Sequence, residues 1–401
     1  MNNSDYLIVG AGIIGMTIAW ELKRNDPKAK ILIIEKEDDA GRHSSGRNSG
    51  VLHSGFYYTA DSLKAKFTAK GNSSMKSFCK ENGIKVNSCQ KVVVAKDESE
   101  VKVLHQLFER GKSNGVDVRI INSEELAQID PNAKTTQIAL HSPSTATVDP
   151  LEVCLGLKKK LCEMGVEFSF GTKYIARKNG VIKTSKGLFE TKYFINAAGL
   201  YADKIAHEWG FGKKYTIIPF KGIYLKYTGQ EPVVRTNIYP VPNLKNPFLG
   251  VHFTVTHDGH FKIGPTAIPA FWRENYSWSE NFSLNEFFSI LYYEAKLFMT
   301  NAFRFRDLAF EEMKKYSKIH FVDLARALVK KMDAKGFTDW GRPGIRAQLL
   351  NTETSELVQD FVIEGDAQSL HILNAVSPAF TCSFPFAEYI RNIVESKVRA
   401  R

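Results

Sequence analysis

The sequence predicts an α/β protein: a Rossmann-like nucleotide-binding domain interleaved with an α+β domain built on an antiparallel sheet. Three observations predict it. A β–α–β pattern with glycines at its first turn occupies Asp5–Glu35. The stretch 215–275 is rich in aromatics, β-formers and prolines. From Trp340 onward the chain returns to strand, small-residue loop and helix, so the C-terminus is expected to rejoin the nucleotide-binding domain.

In the opening motif, β-formers Tyr6–Val9 run into Gly10-Ala11-Gly12-Ile13-Ile14-Gly15. Ile14, Ile18 and Leu22 then recur at helical spacing, and a second apolar run, Ile31–Ile34, ends on Glu35, 20 residues past Gly15. Gly10, Gly12 and Gly15 allow a tight turn and close approach to a pyrophosphate, which the helix N-terminus attracts. Glu35 can accept a hydrogen bond from a ribose hydroxyl. The motif says dinucleotide without saying which one.

The chain of 401 residues is long enough for about two domains. Five cysteines, Cys79, Cys89, Cys154, Cys162 and Cys382, include no CxxC and no Cys/His spacing suited to zinc, so no metal site is expected. Their scatter suits a reducing compartment. The dinucleotide motif starts within a few residues of Met1 and no apolar run approaches the length of a membrane span. The expectation is therefore a cytoplasmic protein. The net charge of +11 would serve an anionic surface or substrate, but no basic stripe with RNA-binding aromatics accompanies it and no nucleic-acid partner is expected.

After Glu35 comes a loop-like run of small and polar residues, 36–55, at the strand end where ligands of open α/β sheets bind. Helix is expected at about 62–82, strand at 91–95, helix at 101–112 and strand at 116–121, with a short helix from Ser123. A helix from Pro150 to Met164 precedes strands 166–170, 174–177 and 181–184, consistent with a meander, and the buried strand Tyr193–Ile195. That strand runs into Asn196-Ala197-Ala198-Gly199, a turn that lets backbone pass against a flat ligand or another strand. Phe282–Met332 reads as helical, with aromatics among lysines and arginines. A helical subdomain with its apolar face inward is the first reading of it; a basic, amphipathic face on a membrane is the second. The expected domains are 1–82, 141–210 and 340–401 for the nucleotide, and 83–140 and 211–339 for the substrate.

Several segments together resemble one family. The loop Arg42–Gly55, NAAGLYAD (Asn196–Asp203), PFKGIY (Pro219–Tyr224), YPVPN…PFLGVHFT (Tyr239–Thr254), KIGPTA (Lys262–Ala267), GIRAQ (Gly344–Gln348), DFVI (Asp360–Ile363) and LHILNAVSPAFT (Leu370–Thr381) resemble the L-2-hydroxyglutarate oxidase/dehydrogenase family. That family is one of the FAD-dependent oxidoreductases of the D-amino acid oxidase type. The resemblance runs in order from Tyr6 to about Tyr389 and is loose only over 282–335. It implies FAD, with its phosphates over Gly10, Gly12, Ile14 and Gly15 and its ribose on Glu35. The pyrophosphate and flavin would follow the loop of Lys36, Arg42, Ser45, Asn48, Ser49, Gly50 and Val51. Ala198 and Gly199 would face the cofactor, with Ser377, Pro378, Ala379, Phe380 and Thr381 at the pyrimidine edge of the flavin. Val376 and Phe380 stand where the family pattern leads one to expect alanine, which makes the packing beside the flavin bulkier.

The implied reaction is oxidation of a small 2-hydroxy dicarboxylic acid, L-2-hydroxyglutarate to 2-oxoglutarate, with hydride transfer to the flavin. The hydroxyl proton needs a base that titrates near working pH, as histidine does. His53, just past the loop glycines, is the first candidate and His252 the second, as base or substrate hydrogen-bonder. A carboxylate is best gripped by a guanidinium, for which Arg346 is the candidate. Lys221, Tyr57, Tyr58 and Tyr239 are available for the second carboxylate, and Lys221 could instead stabilise charge beside the flavin. The rival readings are an amino-acid or amine oxidase of the same superfamily and a flavin-dependent RNA-modifying protein. Either oxygen or a membrane quinone could take the electrons, and the basic aromatic segment 282–332 would suit peripheral contact with the inner face of the cytoplasmic membrane.

Overall fold

The structure, a computed structural model, describes residues 2–230, 233–242 and 249–399. Asn243, Pro247 and Phe248 of the Tyr239–Thr254 motif lie outside the described residues. The chain forms two compact units, Met1–Asn48 with Pro150–Pro219 and Arg346–Arg401, and Ser49–Asp149 with Phe220–Ile345. The units divide the chain differently from the expected domains: residues 49–82, 141–149 and 340–345 fall in the second unit, and 211–219 in the first. Local packing accounts for the first two: strand Val51–Leu52 pairs with Ala146–Thr147, Thr147 bridges Asn87, and Phe56 packs with Val93 and Leu104.

The first unit is built on an eight-stranded sheet. Its spine is parallel: Ser369–Asn374, Gly187–Asn196, Asn2–Val9, Ile31–Ile34 and Glu167–Ser169, in that order. All four residues of Ile31–Ile34 are buried, as a strand covered on both faces requires. Val362–Gly365 closes one edge antiparallel. Only Tyr174–Lys178, Val181–Thr184 and Gly187–Asn196 form the expected meander; Glu167–Ser169 joins the parallel spine instead. Helix Ile13–Asn25 buries Ile14, Ile18 and Leu22 and packs against helices Pro150–Glu163 and Ala379–Arg399.

The second unit holds another eight-stranded sheet, ordered Phe337–Trp340, Leu225–Tyr227, Phe261–Gly264, His252–Val255, Asn237–Pro240, Lys91–Val94, Ile138–Ser142 and Arg119–Asn122. The pairings are antiparallel except for Asn237–Pro240 beside Lys91–Val94. Side chains alternate between its two faces. Val92, Val94, Ile238 and Phe253 pack with Phe321, Val322 and Ala325 of helix Lys318–Arg326. Val93 and Tyr239 face the other way, onto Phe56 and onto Leu104 and Leu107 of helix Glu98–Ser113.

Residues 284–326 form three helices, Leu284–Thr300, Phe305–Lys314 and Lys318–Arg326. The expectation that their apolar face turns inward fails for the first two. Leu284, Phe288, Leu291, Tyr292 and Met299 are exposed on one stripe of the first helix, whereas Glu286 and Glu294 are buried with Ile290 and Leu297. Phe310 and Met313 of the second helix are exposed as well. Among the described residues no helix is long and apolar enough to cross a membrane.

Candidate active site

Parallel register brings distant parts of the chain to one edge of the first unit. Val9 lies opposite Ile34 and Asn196, and Asn196 opposite His371. The segments that follow these strands, Gly10–Gly15, Glu35–Asn48, Ala197–Gly199 and Ala375–Thr381, therefore leave from the carboxyl ends of parallel neighbours, where α/β sheets bind ligands. Gly10 has φ +107°, and a Cβ there would sit 2.5 Å from the Ala197 carbonyl oxygen. The small-residue turn at 197–199 thus lies against the glycine turn itself. A Cβ on Gly15 would lie 2.1 Å from the Gly10 carbonyl oxygen, so the helix starts tight against the turn.

The loop after Glu35 folds back over that turn. The Gly41 N–H donates to the Ala11 carbonyl at 3.1 Å, and Ser45 Oγ accepts from the Ile13 N–H at 2.9 Å. Asn48 Nδ2 donates to the Ser45 carbonyl at 2.7 Å. Glu35 accepts from the N–H groups of Ala11 at 2.8 Å and Glu37 at 3.0 Å, which fixes its carboxylate at the turn. Two of the expected phosphate partners are engaged with neighbours: Arg42 pairs with Asp38 at 2.8 Å, and Lys36 with Glu37. His43 and Lys36 hold the Glu37 carboxyl down at about 2. Gly199 has φ +54°. Ser377 and Pro378 lead directly into helix Ala379–Arg399, which contains Ala379, Phe380 and Thr381.

In the second unit, His53 follows strand Val51–Leu52, and the Asn72 amide donates to the Leu52 and His53 carbonyls at 2.9 and 3.2 Å. Its Nδ1 lies 3.3 Å from Lys91 Nζ. Lys91 is 0% exposed and shares the sheet face of Val93. Its Nζ sits 4.1 Å from the Tyr239 ring, 5.3 Å from Tyr57 and 5.8 Å from Phe56. The Tyr239 ring stacks on His252 at 3.6 Å. His252 Nδ1 faces the Gly250 carbonyl at 2.8 Å, an acceptor only, so this nitrogen carries the proton.

Burial governs the chemistry of the cluster. It brings Lys91 down to about 7 and, with Lys91 and His252 adding to it, holds His53 well below the ordinary imidazole range. It pushes the Tyr57 and Tyr239 phenols well up. The Tyr57 hydroxyl oxygen is buried without a hydrogen-bond partner among the described residues, an expensive state unless a ligand supplies one.

His53, Tyr57, Tyr239 and His252, candidates from sequence, thus gather with Lys91. Tyr58 is half-buried, with Lys64 Nζ 5.9 Å from its ring. Lys221, opposite Ile268 on Tyr215–Gly222, is lowered by burial. Ser49, Gly50 and Val51 fall in the second unit; the Gly50 carbonyl accepts from the Val148 N–H at 2.9 Å. Arg346 is half-buried on strand Gly344–Asn351. GIRAQ lies inside that strand. Lys91 is the residue sequence reasoning missed; its signal is a lysine opening a run of valines.

The parallel sheet and its glycine turn define a dinucleotide-binding protein. The chain belongs to the FAD-dependent oxidoreductases: residues 5–389 match that family, described as DAO, FAD dependent oxidoreductase. The L-2-hydroxyglutarate dehydrogenase of Indibacter alkaliphilus is 37% identical over 388 residues, 94% of this chain and 95% of its own. The L-2-hydroxyglutarate dehydrogenase of an Escherichia coli strain is 34% identical, over 98% of this chain and 93% of its own. Among solved structures, dithionite-reduced L-alpha-glycerophosphate oxidase from Mycoplasma pneumoniae with FAD bound has a TM-score of 0.78 at 21% identity, covering 98% of this chain and 95% of that one. The cofactor is FAD. The residues present fit it: Gly10 and Gly15 leave no room for side chains at the turn, and the first helical turn carries no acidic residue, which suits a pyrophosphate.

Proposed function

We propose that the protein oxidises L-2-hydroxyglutarate to 2-oxoglutarate. Support comes from the full-length relatives of that activity and, above all, from the buried cluster of His53, Lys91, Tyr57, Tyr239 and His252. Bound FAD supplies the hydride acceptor. His53 takes the hydroxyl proton as the Cα–H bond is broken, and the buried Tyr57 hydroxyl donates to a substrate oxygen. Arg346 grips the Cα carboxylate through its guanidinium, and Lys221 or Tyr58 serves the second carboxylate. His252, whose ring is held by Tyr239, hydrogen-bonds substrate. Anaerobic mixing with a panel of 2-hydroxy acids and amino acids tests this. L-2-Hydroxyglutarate should bleach the flavin and amino acids should not; bleaching by amino acids alone would assign an amino-acid oxidase instead.

The exposed face of the helices at 284–314 supports a second element of the proposal, docking on an anionic lipid surface with a quinone as electron acceptor. Exposed Arg304, Arg306 and Lys314, the first and last paired with Asp307 and Glu311, accompany exposed Phe288, Met299 and Phe310, the combination that interfacial helices use. The protein would then work at the inner face of the cytoplasmic membrane. Co-sedimentation with phosphatidylglycerol vesicles should exceed that with phosphatidylcholine; equal absence from both pellets would leave oxygen or a soluble carrier as the acceptor.

A further inference from the structure

We propose that Lys91 is a positioning residue for His53: its ε-amino group decides which imidazole nitrogen carries the proton, and it receives the proton that His53 hands on. The inference rests on the reading of His53 as base and deepens it.

The geometry allows two arrangements of the 3.3 Å contact between Lys91 Nζ and His53 Nδ1. An ammonium group has donors only. A charged Lys91 therefore makes Nδ1 the acceptor and leaves the imidazole hydrogen on Nε2, where a base needs a lone pair. A neutral amine carries a lone pair and admits the reverse: Nδ1–H donates to Nζ, and Nε2 carries the lone pair. The base-competent tautomer of His53 therefore requires an uncharged Lys91.

The surroundings of Lys91 favour that state without forbidding the other. The titratable groups facing it are the Cys89 thiol from its own segment, the His53 imidazole and the Tyr57 phenol from 53–58, and the Tyr239 phenol from Asn237–Pro240. Burial raises the thiol and both phenols, so they stay neutral near pH 7. Among the described residues no carboxylate acts on Lys91. Burial alone therefore brings it to about 7, while the ring faces of Tyr239 and Tyr57 offer the ammonium form a cation–π contact.

The proton path balances. The substrate C–H bond breaks with its electron pair going to FAD, and the hydroxyl proton passes to His53 Nε2. His53 Nδ1–H passes to Lys91 Nζ, leaving a keto acid, a neutral imidazole and an ammonium group. Loss of that proton to water after product release restores the amine.

The test uses oxidised, FAD-loaded protein labelled with 15N-histidine, without substrate, and the His53 signal identified from its loss in His53→Gln. As pH rises from 6 to 9, the wild-type signal should change from the Nε2–H to the Nδ1–H tautomer with a midpoint near 7. In Lys91→Met that change should vanish. A wild-type tautomer that stays constant over this range, or a change that survives in Lys91→Met, overturns the proposal.

Kinetics give the second readout. Wild-type kcat/KM should fall on acidification with a midpoint near 7, and Lys91→Met should move this limb to lower pH. Lys91→Arg, permanently charged, should lose about 100-fold at every pH and be worse than Lys91→Met. The reverse order, with Arg rescuing, would show that Lys91 serves only as a structural charge. If Lys91→Arg does not fold, the wild-type titration still decides. Turnover retained in His53→Gln would remove the base reading, while the tautomer measurement would still report on the pair.

Discussion

The sheet face around Lys91 and the helices at 284–314 break the inside–outside rule in opposite directions. In the first, a lysine lies with no exposed surface among Phe56, Tyr57 and Tyr239. In the second, Met299 is 70% exposed, with Phe288 and Tyr292 similarly open. Bringing a lysine from 10.5 to about 7 corresponds to on the order of 5 kcal/mol at about 1.4 kcal/mol per unit. Leaving a large apolar side chain in water forgoes roughly 1.5–3 kcal/mol. Both departures cost stability, and neither is needed to complete a core. The difference teaches where chemistry and contact are separated: a buried polar cluster suits proton transfer, and an exposed apolar stripe suits a surface.

The largest expected effect breaks the first side of this comparison. His53→Gln should lower the rate of anaerobic flavin reduction by about 10²–10⁴-fold while FAD content stays at the wild-type level. A loss of less than ten-fold would remove His53 from proton transfer. The next effect contrasts apolar residues from each region. Leu104→Ala, fully buried on the Lys91 side of the sheet, should destabilise by about 2–5 kcal/mol in urea unfolding. Phe288→Ala and Met299→Ala should each change stability by about 0.5 kcal/mol or less, while together reducing binding to anionic vesicles. A large stability loss in the latter pair would mean that these side chains belong to a packed core.

Much of the first unit was legible because its signals are local. Glycine spacing, the apolar run Ile31–Ile34 and Glu35 specify β–α–β, and the parallel order then brings Ala197–Gly199 and Ala375–Thr381 to the same edge. The second unit was less so. Strand Ile138–Ser142 was missed, being short and flanked by Thr-Thr-Gln and Ser-Pro. Lys91 opens a run of valines and reads as a strand-end charge; only its two-residue offset from Val93 hints that it faces the core, and only pairing on both sides buries it. Likewise Leu284, Phe288, Leu291 and Tyr292 give a helical stripe whose periodicity is the same whether it turns to core or solvent. Glu286 and Glu294 on the opposite stripe were the available clue, and carboxylates there read naturally as a solvated face.

Glu294 offers the finest test of the contrast, because it is the carboxyl counterpart of Lys91. Burial raises it to about 8, and its Oε1 has no hydrogen-bond partner among the described residues. Relative to 4.5 in the unfolded chain, the folded state binds more protons between about 4.5 and 8. This contribution to stability is present below 4.5 and lost as pH rises to about 8. Lys91 has the opposite sign: between about 7 and 10.5 the unfolded chain binds more protons, so its contribution is lost as pH falls toward 7. Each slope approaches about 1.4 kcal/mol per pH unit at its limit, and between about 7 and 8 the two oppose one another. Urea unfolding from pH 5 to pH 9 should therefore show Glu294→Gln more stable than wild type at the alkaline end and equal to it at the acid end. Lys91→Met should gain most at the acid end. Parallel shifts of both curves across the whole range would mean that neither group is held neutral by burial, and the resemblance between the two regions would reduce to packing alone.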